Sequence, residues 1–207
     1  MRVLATDTFA VELAARAISR GEVICLPTDT VYGIGADPFS TTAITRLLTA
    51  KSRTRANPPP VLVTGIEQAR SLSAALPEAA VTLMHAFWPG PLTIVVPARA
   101  DIGWDLGETN GTVALRMPDL AVTLDLLATV GPLAVTSANQ HGQPPATTVD
   151  EALTGLGDAV TLYVDGGQAG GGEGVVSTIV DATGTPCILR HGAISEAEIE
   201  RVLVVPR

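Results

Sequence analysis

Residues 22–38 read EVICLPTDTVYGIGADP, and this stretch determines which fold the chain can adopt. The apolar run VICL predicts a buried strand. The glycines Gly33 and Gly35, together with the proline after the strand, predict a tight loop, because these residues favour turns. The loop presents the triplet TDT, residues 28–30, directly after the strand. Ligands of α/β proteins bind at such positions, although an ordinary strand-to-helix turn can have the same residues.

The segments on both sides alternate between strand-like and helix-like patterns. The predicted strands are 3–5, 22–27, 60–64, 91–97, 112–118, 133–139, 163–167, 175–181 and 186–190. The predicted helices are Thr8–Ser19, Thr41–Ala50, Glu67–Ser73, Pro77–Phe87 and Leu120–Thr129, with further starts near Thr147 or Thr148 and at Ser195. Asp7 or Thr8 is predicted to cap the first helix, and Gly21 to end it. This alternation predicts one α/β domain, residues 1–207, with a mixed sheet.

The composition, with 46% hydrophobic residues, is that of an ordered globular protein. No apolar run has the length of a membrane span and no signal-peptide pattern is present, so we expect a cytoplasmic protein without membrane association. Cys25 and Cys187 lie in apolar runs and are predicted to be buried, reduced thiols. The three histidines are scattered, without cysteine or carboxylate at ligand spacing, which indicates no metal site.

The formal net charge is −8, whereas proteins that neutralise nucleic-acid phosphates usually carry an excess of basic residues. Any bound anion must therefore meet a local cluster of positive charge. Lys51 is the only lysine among thirteen basic residues, and the others are arginines. An ammonium differs from a guanidinium in geometry and hydration, so position 51 either requires a compact charge or has a lysine by chance.

Lys51, Arg53 and Arg55 form a basic cluster in KSRTRANPPP, residues 51–60. Such closely spaced cations repel one another unless an anion neutralises them. Stabilisation of a helix C-terminus is the alternative, but it explains Lys51 better than the two arginines, which lie beyond the predicted helix. Because a helix end carries little core packing, Lys51 is predicted to be replaceable without loss of the fold.

Ser137 and Asn139, in the motif TSAN, offer hydroxyl and amide groups after another predicted strand. These groups can bind phosphate oxygens or the edge of a purine. A hydrolase triad is the weaker interpretation, because no G-x-S-x-G elbow surrounds the serine.

Arg116, Ser177 and Arg190 lie on or next to three further predicted strands. The apolar neighbours of Arg116 indicate a largely buried guanidinium, which needs an anion: either a ligand in a cleft or an internal carboxylate such as Asp181. The segment GGQAGGGEG, residues 166–174, is not a P-loop, and a plain loop is favoured over a flexible lid. The residues alone thus predict a cytoplasmic α/β enzyme with a cationic cleft for a phosphate-bearing or carboxylate-bearing ligand.

The order of seven motifs resembles the YrdC/Sua5 family of threonylcarbamoyl-AMP synthases. The motifs are PTDTVYGIG, K-x-R, GPLTIVV, TVALRMP, TSAN, VSTIVD and ILRHGAI, from about Val23 to Ile194. The resemblance implies a single YrdC-like domain with a twisted sheet and a large, positively charged concave cavity. It also implies a nucleotidyltransferase that converts L-threonine, bicarbonate and ATP into threonylcarbamoyl-AMP and pyrophosphate. That product serves the formation of N6-threonylcarbamoyladenosine in tRNA.

The resemblance further implies roles for individual residues. The implied catalytic cations are Lys51 and Arg53. The implied ATP contacts are Arg53, Asn57, Thr112, Ser137, Asn139, Pro145 and Arg190. The implied threonine contacts are Thr30, Leu62, Arg116, Val135 and Ser177. Mg²⁺ is expected to accompany ATP without dedicated protein ligands, and a downstream threonylcarbamoyl-transferase complex is the expected partner.

Three alternatives remain open at the level of sequence. A non-catalytic RNA-binding module is disfavoured by the net charge of −8, which also predicts weak or no direct tRNA binding. The sequence distinguishes the synthase only weakly from a YciO-type paralogue with a different nucleotide substrate. The third alternative is a carbamoyltransferase domain of the hydrogenase-maturation type. It is disfavoured, because such domains are found within much longer chains.

Overall fold

The computed structural model describes residues 1–7 and 9–204, which form ten strands and seven α-helices. The strands are β1 (Arg2–Leu4), β2 (Ile24–Leu26), β3 (Gly33–Ala36), β4 (Val61–Leu62), β5 (Leu92–Pro97), β6 (Thr112–Arg116), β7 (Leu133–Ser137), β8 (Leu162–Asp165), β9 (Thr178–Asp181) and β10 (Cys187–Arg190). The helices are α1 (Ala10–Ser19), α2 (Thr41–Ala50), α3 (Ile66–Leu72), α4 (Glu78–Phe87), α5 (Ala121–Val130), α6 (Val149–Leu156) and α7 (Glu196–Val204).

All ten strands belong to one sheet, in the order β1-β8-β2-β3-β7-β4-β6-β5-β9-β10. Four neighbouring pairs are parallel and five are antiparallel. This arrangement confirms the predicted α/β class and the mixed sheet. Most predicted strands and helices are present, but several strands are shorter than predicted, and β4 has only two residues.

Helices cover both faces of the sheet and enclose two apolar cores. The side chains of β2 alternate between the faces, as the period of a strand requires. Ile24 and Leu26 belong to the core that includes side chains of α1 and α5, whereas Cys25 belongs to the core on the opposite face, which includes side chains of α2, α4, α6 and α7. None of the described helices is long and apolar enough to cross a membrane.

Strand β3 was not predicted, because its glycines indicated a tight loop. Instead, Gly33 and Gly35 lie inside the sheet, paired with β2 on one side and β7 on the other. A Cβ on Gly33 would lie 2.6 Å from Cγ1 of Val135, and one on Gly35 would lie 3.2 Å from Cγ2 of the same residue. The glycines therefore allow the side chain of Val135 to cross the surface of β3, and they do not form the turn.

Two local predictions are wrong. Helix α1 begins at Ala10 with Phe9 as its N-cap residue and no side-chain cap, while Asp7 accepts a hydrogen bond from Leu4 N. Thr8, the other predicted cap, lies outside the described residues. Cys187 is exposed because it lies on the edge strand β10; Cys25 is buried as predicted, and burial raises the pKa of its thiol.

We expect Gly33→Ala to lower the free energy of unfolding by about 1–3 kcal/mol, because the added methyl group overpacks the contact with Val135. Gly184→Ala is the matched control, since a Cβ there has no neighbour within 4 Å. Urea denaturation of both variants measures the effect. Equal stability of the two variants would show that β3 can move away from β7 at no cost.

Candidate active site

A cavity of about 460 Å³ lies against β6, β7 and β9 and is also lined by residues of the loops 28–32, 53–60 and 106–110. Ten of the thirteen residues predicted for the site line it, and these are Thr30, Arg53, Asn57, Leu62, Thr112, Arg116, Val135, Ser137, Ser177 and Arg190. Lys51, Asn139 and Pro145 do not belong to the lining. The structure thus brings most of the predicted residues together, while their individual roles stay predictions.

Arg116 is the most deeply buried cation of the lining. Its guanidinium donates to Asp29 Oδ1 at 2.6 Å, to Thr30 Oγ1 at 3.0 Å and to the carbonyl of Gly90 at 3.1 Å. Burial lowers the pKa of Arg116, and the charge of Asp29 acts in the opposite direction. The sequence interpretation that offered Asp181 as the internal partner is wrong, because the carboxylate that reaches Arg116 comes from the TDT triplet.

The hydrogen bonds within the TDT triplet indicate which of its two hydroxyl groups donates to the other. Thr28 donates its hydroxyl proton to the carbonyl of Val31 at 2.6 Å, so the contact of 3.0 Å between the two threonine hydroxyls requires Thr30 as the donor. Thr30 in turn accepts from Arg116. Thr28 Oγ1 also accepts from the backbone N–H groups of Thr30 and Val31, so the whole triplet is linked by hydrogen bonds, and Thr30 offers a ligand a lone pair of its hydroxyl.

Arg53 is half-buried, and its only side-chain partner among the described residues is the hydroxyl of Thr136, at 3.1 Å. Its Nε is buried without a hydrogen-bond partner. Burial lowers the pKa of Arg53, which means that the free protein stabilises this charge poorly. An unsatisfied buried donor of this kind is costly unless a ligand completes it.

Arg190 lies at the exposed end of β10 and donates to the carbonyl of Ser177 at 2.7 Å and to its hydroxyl at 3.0 Å. That hydroxyl also contacts Thr93 Oγ1 at 2.8 Å. Partial burial lowers the pKa of Arg190, and the charges of Arg116 and Arg53 lower it further. The positive charges of Arg116 and Arg53 therefore act on Arg190 within the same cavity.

Lys51 differs most from its prediction. It follows α2 directly, yet it is fully buried, and its Nζ donates to the carbonyl of Ser137 at 2.5 Å and to Asn139 Oδ1 at 2.7 Å. A third contact, to Ser137 Oγ, measures 3.3 Å. The prediction that this position carries little core packing is wrong, because the end of α2 lies against the loop after β7.

Both polar groups of the Asn139 side chain have protein partners, because Oδ1 accepts from Lys51 while Nδ2 donates to the carbonyls of Gln140 and Gln143. It therefore shapes the loop that begins at Ser137. Ser137 lines the cavity, whereas Asn139 does not belong to the lining.

The glycine-rich segment packs against the TDT triplet. Gly170 lies so close to Thr30 that a Cβ would be 2.0 Å from the carbonyl oxygen of Thr30. Tyr32 Oη accepts from Gly166 N at 3.0 Å and donates to the carbonyl of Gly167 at 2.6 Å. The segment thus packs against the backbone of Thr30 and binds the hydroxyl of Tyr32.

Several lining residues were missed by the sequence interpretation. Thr93 and Thr136 lie inside apolar strands, and Glu108, the only acidic residue of the lining, lies in a loop without a motif. The hydroxyl of Thr93 becomes relevant only because β5 pairs with β9, next to Ser177. That pairing joins segments that are distant in sequence, so no local pattern could reveal it.

This arrangement can hold a polyanion and a smaller polar ligand together. Arg53 and Arg190 have no carboxylate within ion-pair distance among the described residues, so their charges are available. Arg116, Thr30 and Ser177 offer donors and an acceptor in the same cavity. Cations fixed in advance stabilise charge that develops on phosphate oxygens during a transfer reaction.

Comparison with known proteins gives the following matches. The family model Sua5_yciO_yrdC, described as telomere recombination, matches residues 16–192. A Mycobacterium tuberculosis protein provisionally named threonylcarbamoyl-AMP synthase is 47% identical over 193 residues, which cover 93% of this chain and 88% of that protein. Threonylcarbamoyl-AMP synthase of Bacillus subtilis is 38% identical over 204 residues, which cover 97% of this chain and 58% of that protein. The crystal structure of P. abyssi Sua5 complexed with L-threonine has a TM-score of 0.90 at 34% identity, covering 99% of this chain and 60% of that one.

We expect Lys51→Met to lower the free energy of unfolding by about 2–5 kcal/mol, because two buried acceptors lose their donor. Arg46→Met is the control. Arg46 lies within α2 and also donates to a carbonyl, that of Gly21, but it is exposed, and we expect a change below about 0.5 kcal/mol. Denaturation and adenylate formation are measured together. A stable Lys51→Met that has lost activity would restore the direct catalytic role implied by the sequence.

The stability of the protein is also expected to depend on pH through Lys51. Burial, together with a smaller effect of the charge of Arg53, lowers the pKa of Lys51 from 10.5 to about 7. Between these values the unfolded state binds more protons than the native state, so the free energy of unfolding rises with pH. The slope is at most about 1.4 kcal/mol per pH unit.

The measurement compares denaturation of the wild type and Lys51→Met from about pH 7 to about pH 9, the lower part of this interval. At higher pH, buried Cys25 and Tyr32, whose pKa values are raised, give a slope of the opposite sign. Identical slopes in the two proteins would mean that the acceptors around Nζ keep the ammonium charged throughout.

Proposed function

This chain belongs to the Sua5/YciO/YrdC family, and we propose that it converts L-threonine, bicarbonate and ATP into threonylcarbamoyl-AMP and pyrophosphate. The reaction is a nucleotidyl transfer, and its curated relatives are named for it. The observation that carries the proposal is the composition of the cavity. Two guanidinium groups without carboxylate partners lie beside a third that is paired with Asp29.

The chemistry follows from these groups. The amine of threonine and bicarbonate form a carbamate with loss of water. A carbamate oxygen then forms a bond to the α-phosphorus of ATP, and the bond from that phosphorus to the pyrophosphate oxygen breaks. Negative charge accumulates on phosphate oxygens during this step, so cations held in position provide most of the stabilisation.

We assign the phosphates to Arg53 and Arg190, the two arginines of the lining that have no carboxylate partner among the residues the structure describes. The unpartnered Nε of Arg53 makes it the catalytic cation of the pair. Asn57, Thr112 and Ser137 complete the ATP contacts in the lining. Lys51, Asn139 and Pro145 contribute from outside the lining, and Lys51 acts by holding Ser137 in place.

We assign threonine to the region around Arg116, whose guanidinium matches a carboxylate in geometry. The hydroxyl of threonine donates to Thr30, which offers a lone pair of its hydroxyl. The remaining contacts proposed for the substrate are Leu62, Val135 and Ser177, all of which line the same cavity.

Mg²⁺ is proposed to enter with ATP, since this ion prefers phosphate oxygens, waters and only one or two carboxylates. Glu108 is the only acidic residue among the lining residues that the structure describes. The ion supplies charge neutralisation on the departing pyrophosphate, and the arginines orient the phosphates.

The product is proposed to pass to a threonylcarbamoyl-transferase complex that modifies tRNA in the cytoplasm. Direct tRNA binding by this chain is expected to be weak, because its net charge of −8 repels a polyanion at long range.

Pyrophosphate release from ATP should require both L-threonine and bicarbonate. The measurement is a coupled pyrophosphate assay with each substrate omitted in turn, together with chromatography of the adenylate. Arg53→Met is expected to lower the rate by on the order of 10²–10³-fold, because it removes a cation from the developing charge. Undiminished release without threonine would favour a YciO-type activity instead.

A further inference from the structure

The cations of the cavity differ in how they are neutralised. Arg116 forms the ion pair with Asp29, at 2.6 Å, and both side chains are largely buried, with exposed fractions of 8% and 13%. Arg53 and Arg190 are held by hydroxyl and carbonyl oxygens, which carry no net charge. The region around Arg116 is therefore neutral overall, whereas the rest of the cavity is cationic.

Asp29 does not belong to the cavity lining, but it lies between the lining residues Thr28 and Thr30 and is paired with Arg116, so its charge acts at this end of the cavity. Its Oδ1 accepts from Arg116 Nη2, and its Oδ2 has no hydrogen-bond partner among the described residues. Arg116 has further acceptors in Thr30 and in the carbonyl of Gly90, so its orientation does not depend on the carboxylate alone. Two of its five N–H groups also remain without a partner, since three are used.

These contacts leave an unpaired carboxylate oxygen next to unpaired guanidinium donors. A zwitterion matches such a pair, because its carboxylate and its ammonium meet opposite charges at the same place. A simple anion gains only the attraction of Arg116 and is repelled by Asp29 at nearly the same distance.

We propose that Asp29 is the specificity-determining residue that reserves the Arg116 end of the cavity for an α-amino acid zwitterion. Arg116 takes the carboxylate of the ligand, and the negative charge of Asp29, which is ion-paired with Arg116, favours a ligand whose carboxylate is accompanied by an ammonium group. The inference rests on the proposed function, in which threonine is that zwitterion. The same pairing keeps phosphate groups away from Arg116 and directs them to Arg53 and Arg190.

The probe pair is L-threonine and 3-hydroxybutyrate, which is threonine without its α-amino group. Calorimetric titration or competition gives the ratio of their dissociation constants. In Asp29→Asn this ratio is expected to fall roughly 10- to 100-fold, because the ammonium loses the attraction of a negative charge while the simple carboxylate loses a repulsion. The ratio compares two ligands in one protein, so a general change of affinity cancels.

Asp101→Asn is the matched control. Asp101 also pairs with an arginine, Arg99, but on the exposed surface and away from the cavity lining, and its ratio should equal that of the wild type. An unchanged ratio in Asp29→Asn overturns the proposal. So does a parallel loss of both ligands, ATP and thermal stability, which would make Asp29 a structural anchor for Arg116.

A second measurement needs no variant and decides the matter if Asp29→Asn fails to fold. Salt screens the attraction between a net charge and a charged ligand, but affects a neutral pair of partners little. From about 50 mM to about 500 mM KCl, wild-type affinity for 3-hydroxybutyrate, which carries a net charge, should change less than about two-fold because Asp29 neutralises Arg116, whereas affinity for ATP should fall steeply. A steep fall of the affinity for 3-hydroxybutyrate would overturn the proposal. Failure of the wild type to bind L-threonine at all would instead refute the proposed function.

Discussion

The placement of cations in the interior without an equal number of carboxylates is the constraint on which this structure depends. Lys51 and Arg53 are satisfied by neutral oxygen atoms, and in Arg53 one donor stays unsatisfied. A buried charge of this kind is costly in the free protein. The apolar cores on both faces of the sheet must offset that cost, since most of the stability of a domain comes from such burial.

The choice of acceptors has a functional meaning. A carboxylate beside each arginine would stabilise the free protein but would cancel the charge that a phosphate ligand needs. Carbonyl and hydroxyl oxygens hold the guanidinium groups in position and leave their charge intact. Of the three arginines that line the cavity, Arg116 alone has a carboxylate partner among the described residues, and there the TDT triplet provides both the acid and the adjacent hydroxyl acceptor.

Local patterns in the sequence predicted the α/β class and nearly all helices, and together with the family resemblance they predicted ten of the residues that line the cavity. These patterns failed at positions whose structure is determined by packing against distant segments of the chain. Gly33 looked like a turn residue, because only the neighbouring strand with Val135 explains why a side chain is excluded there. Lys51 looked exposed at a helix end, because its burial depends on a loop 86 residues away. The ion pair of Arg116 joins residues 87 positions apart, so no spacing rule could select Asp29 over other acids.

The order of the strands has a consequence for how the chain reaches its native state. Strand β1, at residues 2–4, pairs only with β8, at residues 162–165, and β8 is also the outer neighbour of β2. During synthesis on the ribosome, the first strand therefore has no partner until three quarters of the chain has been made. Domains dominated by such distant pairings fold slowly, because a long loop must close before its contacts form. The cavity draws residues from 28 to 190, so a nascent chain that does not yet include β10 lacks part of the lining and cannot form the complete binding site.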